Sequence, residues 1–482
     1  MKRIMKILIY SVFVLHLLSC TTDFSSEAVV AIPVTASYTE ESASETDSGA
    51  ENAGYDEEPY DDGVNYEVLE DETIPAREWT IMLYMAADNN LEGAAITDFN
   101  ELENADFDES VTVLILLDRA ENYDATNGDW QDTRLFKLCH DDNKNKALIV
   151  SENLDCQELG LSRESLTELD MANPQTMVGF IEYSRSSFPA ENYALLIWGH
   201  GTGWRGADTA LTDIQNSCRA FAVDGTSSTY MTISQLSSAI SEGMGDEKLS
   251  VLAFDTCFGL CLESAYEFSD CADYMLGTPS IVPESGWNYT GFLNQFAQSD
   301  KSPSSFIASA AENFCESYKN YAYAAFSCVD LKKIPALVDS FSDYASGLAS
   351  EICSRQERDE IFSLFESECV SYCSPLYPTD FYVDLADILL VLDSHKASGA
   401  VLDLLSQALV FDWSASGATA SLGLFFCVYK SAGVISSSHP SLYVNGSRET
   451  SLSRFVKDCP GYVPTISLSG SLLDKLFYEA FQ

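Results

Sequence analysis

Four stretches of this chain are apolar without interruption: WTIMLYMAAD from Trp79, VTVLILLD from Val111, NYALLIWGHG from Asn192 and KLSVLAFDTCFG from Lys248. Strict alternation would mark strands with one wet face. Continuous runs of this length predict strands covered on both faces. Between them lie stretches with helical spacing, LEGAAITDFNELENA, NPQTMVGFIEYSRSSF and TISQLSSAISEGM. The β-α-β alternation predicts an α/β fold, a largely parallel sheet with helices on both sides. In such sheets, sites form beyond the carboxyl ends of the strands.

The second half repeats the pattern less regularly. SSFIASAAENFCESY, IPALVDSFSDYASGLASEI, FYVDLADILLVLDSH and VLDLLSQALV read as helices, and YAAFSCVDL and ATASLGLFFCVYK as extended segments. No linker separates them from the first half, so residues 301–482 are expected as a C-terminal α/β extension packed on a core spanning 77–300.

The amino-terminal part is different in kind. Lys2, Arg3 and Lys6 precede the apolar stretch ILIYSVFVLHLL, which is short for a membrane span and ends in Leu-Leu-Ser-Cys. Residues 1–20 therefore read as a signal segment resembling a bacterial lipobox, with Cys20 the acylated residue. An ordinary cleaved signal or an uncleaved anchor is the alternative. Residues 21–76 contain no Lys or Arg and are rich in Ser, Thr, Asp and Glu. Such a segment repels itself and buries nothing, so it reads as an acidic disordered tether, with a propeptide as the alternative. The expected location is the bacterial cell envelope, periplasmic or surface-exposed, with membrane contact through the lipid alone.

Composition narrows the function classes. The formal net charge is −48, with 46% hydrophobic and 12% aromatic residues. That charge excludes a nucleic-acid reader, which needs a basic stripe. Fourteen cysteines in an exported chain invite disulfides. Acylation of Cys20 leaves an odd number, and Cys328 and Cys427 sit in apolar runs, so no bridge is assigned. Cys369 and Cys373 form a single CxxxC, too little for a metal site. No phosphate loop, HExxH, dinucleotide fingerprint or EF-hand pattern is present.

Two of the buried runs end in reactive side chains: ALLIWGHG delivers His200 and Gly201, and VLAFDTCFG delivers Cys257. A thiol and an imidazole brought together at the carboxyl edge of a sheet can yield a nucleophilic thiolate at neutral pH. Gly201 would let a carbonyl approach the backbone closely, and amides near it are candidates for an oxyanion hole. The other four histidines, His16, His140, His395 and His439, have no comparable setting. Asp255, two residues before Cys257, would project on the same side if the strand continues. It is a candidate acid for a cationic substrate group, with helix capping as the alternative. Trp204 is a candidate for lining the cleft, and Cys261 reads as packing.

In order along the chain, WTIMLYMAADNNLE, LLIWGHGTGW, LSVLAFDTCFGLCLESAYEF and VPESGWNY resemble segments of the clostripain family of cysteine peptidases, as do FYVDLADIL and GLFFCVY. The resemblance spans residues 79–456 and implies a caspase-like three-layer α/β/α fold with a mostly parallel central sheet. It implies a His200–Cys257 dyad, no required cofactor, and a peptide or protein substrate. It also implies that Asp255 contributes to a pocket for Arg or Lys before the scissile bond. Calcium dependence occurs in the family. Relatives usually carry Ala-Ser-Glu ahead of the Pro-x-x-Gly-Trp segment, where this chain has Gly277-Thr278-Pro279-Ser280, and Glu284 is a candidate substitute. Several relatives are activated by a cut between the histidine and the cysteine, and if this chain is processed Arg219 is the candidate site. The expectation is a monomeric, lipid-anchored cysteine endopeptidase. Its rivals are an inactive caspase-like lipoprotein serving as an adhesin or binding protein, and a thiol enzyme acting on a non-peptide amide or ester.

Overall fold

A computed structural model describes residues 77–144, 146–164, 166–201, 203, 221–349, 351, 355–372 and 382–425. Nine strands form one sheet in the order β12-β10-β9-β8-β5-β1-β2-β3-β4. Its centre is parallel: β1 (Arg77–Ala87) lies between β2 (Val111–Arg119) and β5 (Ala190–Trp198), and β8 (Leu249–Asp255) between β5 and β9 (Ala272–Gly277). These include the four apolar runs. Side chains alternate between two cores. Met82, Tyr84 and Ala86 enter one, and Trp79, Ile81, Leu83 and Met85 the other. A strand buried on both faces has no reason to alternate in sequence, and here none does.

The first core is covered by α2 (Pro174–Ser187), α3 (Ile233–Met244), α4 (Leu262–Glu267), α7 (Ile334–Ala349), α8 (Arg355–Glu368), α9 (Leu385–Leu392) and α10 (Gly399–Ala408). The second is covered by α1 (Glu92–Glu103), α5 (Tyr289–Ala297) and α6 (Pro303–Tyr318). The result is a three-layer α/β/α architecture. Helix starts are set locally. Thr232 and Gln235 form a capping box for α3, and Asn173 and Ser302 cap α2 and α6, each ahead of a proline. Trp79 anchors the second core, stacked on Phe306 at 5.3 Å and edge-on to Phe296 at 5.5 Å.

β10 (Ala325–Asp330) pairs antiparallel with β9, and β12 (Leu409–Ser414) with β10, so both continue the central sheet. The far edge is closed by β3 (Thr133–Lys137) and β4 (Glu152–Leu154). Two small ribbons complete the fold: β6 (Phe221–Asp224) with β7 (Thr229–Met231), and β11 (Tyr382–Asp384) with β13 (Gly423–Phe425). The edge strands and the β6–β7 ribbon escape the apolar-run criterion because they are short and mixed in polarity. Among the described residues no helix is long and apolar enough to cross a membrane. Cys20, Trp204, Arg219, Cys373, Cys427 and His439 lie outside the described residues.

Candidate active site

β5 and β8 end side by side. Trp198 is paired with Asp255, and the Gly199 amide donates to the Asp255 carbonyl at 3.3 Å. The two reactive residues follow at matching positions, His200 two beyond Trp198 and Cys257 two beyond Asp255. Gly201 packs directly on the nucleophile's backbone. A Cβ there would stand 2.5 Å from the Cys257 carbonyl oxygen and 2.7 Å from the Thr256 side chain, closer than real Cβ atoms come. Only glycine fits.

His200 is half-buried, and its Nε2 lies 2.9 Å from Asn90 Oδ1. With Asn90 as acceptor the proton sits on Nε2, and Nδ1 carries the basic lone pair. Burial pushes the imidazole down to about 4, so it is neutral near pH 7 in the free site. Asn90 is itself delivered by the turn after β1. There Asn89 Nδ2 donates to the carbonyls of Ala86 and Val223, each at 3.0 Å. Sequence reasoning passes over Asn90, although the AADNNLE segment contains it, because its contact with His200 spans 110 positions.

Cys257 is held mainly by backbone. The Val282 amide donates toward its Sγ at 3.4 Å, a contact that favours a thiolate. Phe258, the next residue, has φ 55°, uncommon for a bulky side chain. Two backbone hydrogen bonds fix that turn, the Phe258 amide donating to the Ser280 carbonyl at 2.7 Å and the Leu260 amide to the Thr278 carbonyl at 3.0 Å. The Phe258 ring stacks on Tyr382 at 5.1 Å. The altered segment 277–280 is thus the backbone partner of the cysteine turn.

Asp255 does not share a side with Cys257, because β8 ends at Asp255 and the chain then turns. Cys257 packs with the first core. The Asp255 carboxylate is buried with Trp287 and Tyr289 of the second, and its Oδ2 accepts from the Trp287 amide at 3.0 Å and from Tyr289 Oη at 2.8 Å. It caps no helix, and its Oδ1 is buried without a hydrogen-bond partner among the described residues. A second carboxylate, Asp98 of α1, accepts from Trp198 Nε1 at 2.8 Å. Both acids crowd the turn at Gly286 (φ 54°), where a Cβ would fall 2.8 Å from Asp98 and 2.9 Å from Asp255. Burial raises Asp255 to about 7 and Asp98 well above the carboxylate range, with mutual repulsion adding to the rise in Asp98. Glu284 is exposed on the turn before Gly286. Cys261 is buried against Ser264, 3.1 Å away, and burial raises its thiol well above the ordinary range. It is packing, not a second nucleophile.

A model of the clostripain family matches residues 83–414. The chain belongs to the clostripain family. Clostripain from Hathewaya histolytica is 28% identical over 226 residues, covering 44% of this chain and 40% of that protein. The matched part therefore spans less than half of that relative. Two solved structures share the fold. A secreted C11 cysteine protease from Bacteroides thetaiotaomicron, bound to an irreversible peptide inhibitor, is 18% identical, with 75% of this chain and 96% of that chain covered at a TM-score of 0.52. An inactive zymogen C11 protease from Parabacteroides distasonis is 20% identical, with 75% and 92% covered at a TM-score of 0.51. The caspase-like α/β/α fold expected from the sequence is the fold observed, and membership of the clostripain family carries the expectation of a cysteine-type peptidase.

Proposed function

We propose that this clostripain-family chain is a cysteine endopeptidase in which Cys257 attacks the scissile carbonyl and His200 handles the protons. The observation that carries this reading is the seating of Gly201 on the Thr256–Cys257 backbone, which supports adjacency of the two strand ends. His200 Nδ1 takes the thiol proton, and Sγ forms the carbon–sulfur bond of a tetrahedral intermediate. The protonated imidazole then gives its proton to the leaving amine as the carbon–nitrogen bond breaks. Nδ1 next activates water to hydrolyse the thioester. Backbone amides at Gly201 and Cys257 are the candidates for stabilising the oxyanion, an effect of about 2.7–4 kcal/mol per donor in comparable sites. This chemistry needs no cofactor.

Cleavage after Arg, with Lys second, is the specificity we propose. Asp255 supports it through a buried Oδ1 that lacks a hydrogen-bond partner among the described residues, two positions from the nucleophile. A bound guanidinium would pull the proton off this raised carboxyl and satisfy that oxygen. Trp204 as a cleft wall, Glu284 as a replacement acid and cleavage after Arg219 belong to the same proposal. So does export with a lipid on Cys20, which the signal-like segment supports. A related C11 protease is described as secreted.

The deciding experiment incubates the mature protein with reporter peptides ending in Arg, Lys, Asp or Asn, beside a Cys257→Ala control. Release after Arg, lost in the control, is the expected result. Turnover that survives Cys257→Ala overturns the nucleophile, and preference for Asp or Asn overturns the role of Asp255. Mass spectrometry of active material reads the Arg219 cut, and labelled-palmitate incorporation blocked by Cys20→Ala reads the lipid.

A further inference from the structure

The two loops of the candidate site meet one residue that neither of them carries. Tyr382 opens β11, in the C-terminal part of the chain, and is fully buried. Its ring stacks on Phe258, the residue after Cys257, at 5.1 Å and 22°. Its hydroxyl end lies against Gly203, in the loop that follows His200. A Cβ on Gly203 would overlap the Tyr382 hydroxyl outright and stand 2.5 Å from its Cζ. One side chain therefore supports the histidine loop at its tip and the cysteine turn on its ring.

The ribbon that carries Tyr382 is built against the cysteine turn. β11 pairs with β13, Tyr382 opposite Phe425 and Asp384 opposite Gly423. Gly423 forms a bridge to Cys261, and a Cβ on it would stand 3.2 Å from Pro279 Cβ and 3.5 Å from the Leu260 carbonyl oxygen. Asp384 braces the ribbon, its Oδ2 accepting from Tyr372 Oη at 2.9 Å and from the Ala420 amide at 3.2 Å. The Tyr372 amide donates to the Tyr382 carbonyl at 2.7 Å. The backbone of Tyr382 is thus fixed by contacts other than those its side chain makes with the two loops.

The cysteine turn needs such a stop. Phe258 has φ 55°, a conformation that a bulky side chain holds only where its surroundings enforce it. Its amide is tied to the Ser280 carbonyl, and its ring is set by the stack on Tyr382. Without that ring, Phe258 is free to relax and to carry Cys257 with it. The loop after His200 would at the same time lose the surface on which Gly203 sits.

We propose that Tyr382 is a positioning residue of the active site, setting the separation of the His200 loop and the Cys257 turn from the C-terminal ribbon. It touches neither reacting group and acts through Gly203 and Phe258. A displacement of about 1 Å between reacting groups can lower a rate on the order of a hundredfold. The effect on turnover rests on the peptidase reading; the effect on the thiol does not.

The test compares Tyr382→Leu, Tyr382→Phe and Tyr372→Phe with the wild type. Tyr372→Phe removes a hydrogen bond that braces the ribbon and leaves both side-chain contacts of Tyr382 in place. Turnover of an Arg reporter peptide is measured below the melting transition of every variant. Iodoacetamide alkylation of Cys257, followed on its peptide by mass spectrometry, reads the thiol without a substrate. Tyr382→Leu should lower kcat about 10–100-fold with KM held within about threefold. It should also slow alkylation near pH 7 about tenfold while leaving it close to wild type near pH 9, where a thiol ionises unaided. Tyr382→Phe keeps the stack and loses only the contact with Gly203, so its kcat should lie between those of Tyr382→Leu and the wild type. Tyr372→Phe should lower the melting temperature and leave kcat and alkylation near wild type. Wild-type kcat and alkylation in Tyr382→Leu, or an equal loss in Tyr372→Phe, overturns the positioning role. A wild type that alkylates at Cys257 but cleaves no peptide overturns the peptidase reading instead, and the alkylation comparison then decides the role of Tyr382.

Discussion

The two halves of the candidate site are held by different means. Cys257 is held largely by backbone: the Val282 amide at its sulfur and the paired 258–260 and 278–280 segments. His200 is fixed through side chains: Asn90 on its Nε2, with Asn89 and Asp88 holding the turn that carries it. A backbone cradle tolerates exchange of side chains, which is why segment 277–280 can lose the usual acid and still hold the cysteine turn. A side-chain chain does not, because each link depends on one polar atom. The histidine half should therefore be the more sensitive to conservative substitution.

The largest effects come from removing the reacting groups themselves. Cys257→Ala and His200→Ala should each lower kcat on the order of 10⁴-fold or more, and the double variant should be little worse than either. Steady-state kinetics on an Arg reporter peptide checks this. Multiplying effects in the double variant would mean that the two residues do not act as a unit. Next comes the seam between the halves. Gly201→Ala puts a methyl where the Cys257 carbonyl stands, 2.5 Å away, and a misplacement of that size can lower kcat on the order of a hundredfold. A full-rate Gly201→Ala enzyme would show that the two strand ends do not pack this way during catalysis. Asn90→Ala should follow, lowering kcat roughly 10–100-fold with KM held, by freeing the ring to rotate. Asn90→Gln should not restore the rate, whereas Val282→Ala, which keeps the amide, should leave it nearly unchanged. Equal sensitivity at Asn90 and Val282 would erase the contrast between side-chain and backbone support.

How much of this was legible in the sequence follows the same division. The central strands are apolar on both faces, so β1, β2, β5 and β8 stand out as unbroken runs, and the residues that end them are equally visible. Short-range signals also place the caps of α2, α3 and α6. The side-chain links are another matter. Asn90 to His200 spans 110 positions, and Trp198 to Asp98 spans 100. Neither leaves a periodicity, because each uses a single atom at a strand end or on a helix. The turn after β8 was also hidden. Extending the strand past Asp255 puts Asp255 and Cys257 on one side, whereas the chain bends at Thr256 and sends them to different cores.

That separation leads to the smallest effect, which contrasts two acid groups. Asp88, Asp118 and Glu168 reach solvent through the exposed Glu168. Asp98 and Asp255 are buried among Trp198, Trp287 and Tyr289, and burial raises both carboxyls. Asp255 has a folded-state value of about 7 against an ordinary 3.8, so the folded protein holds a proton that the unfolded chain has already released. Its stabilising contribution is complete below about pH 4 and is lost as pH rises toward 7. Asp255→Asn keeps an acceptor for the Trp287 amide and Tyr289 but cannot ionise. It should leave the melting temperature near pH 5 little changed and raise it by a few degrees near pH 7.5, from an effect on the order of 1–3 kcal/mol shared with Asp98. An unchanged difference between the two pH values would mean that Asp255 is ionised in the folded protein throughout. A peptide inhibitor ending in Arg gives the complementary reading. Its guanidinium needs the ionised carboxylate, so its affinity for the wild type should strengthen from pH 5 to 7.5, and Asp255→Asn should flatten that rise. Affinity independent of pH in both proteins would separate Asp255 from the substrate and leave it a buried prop for the Gly286 turn.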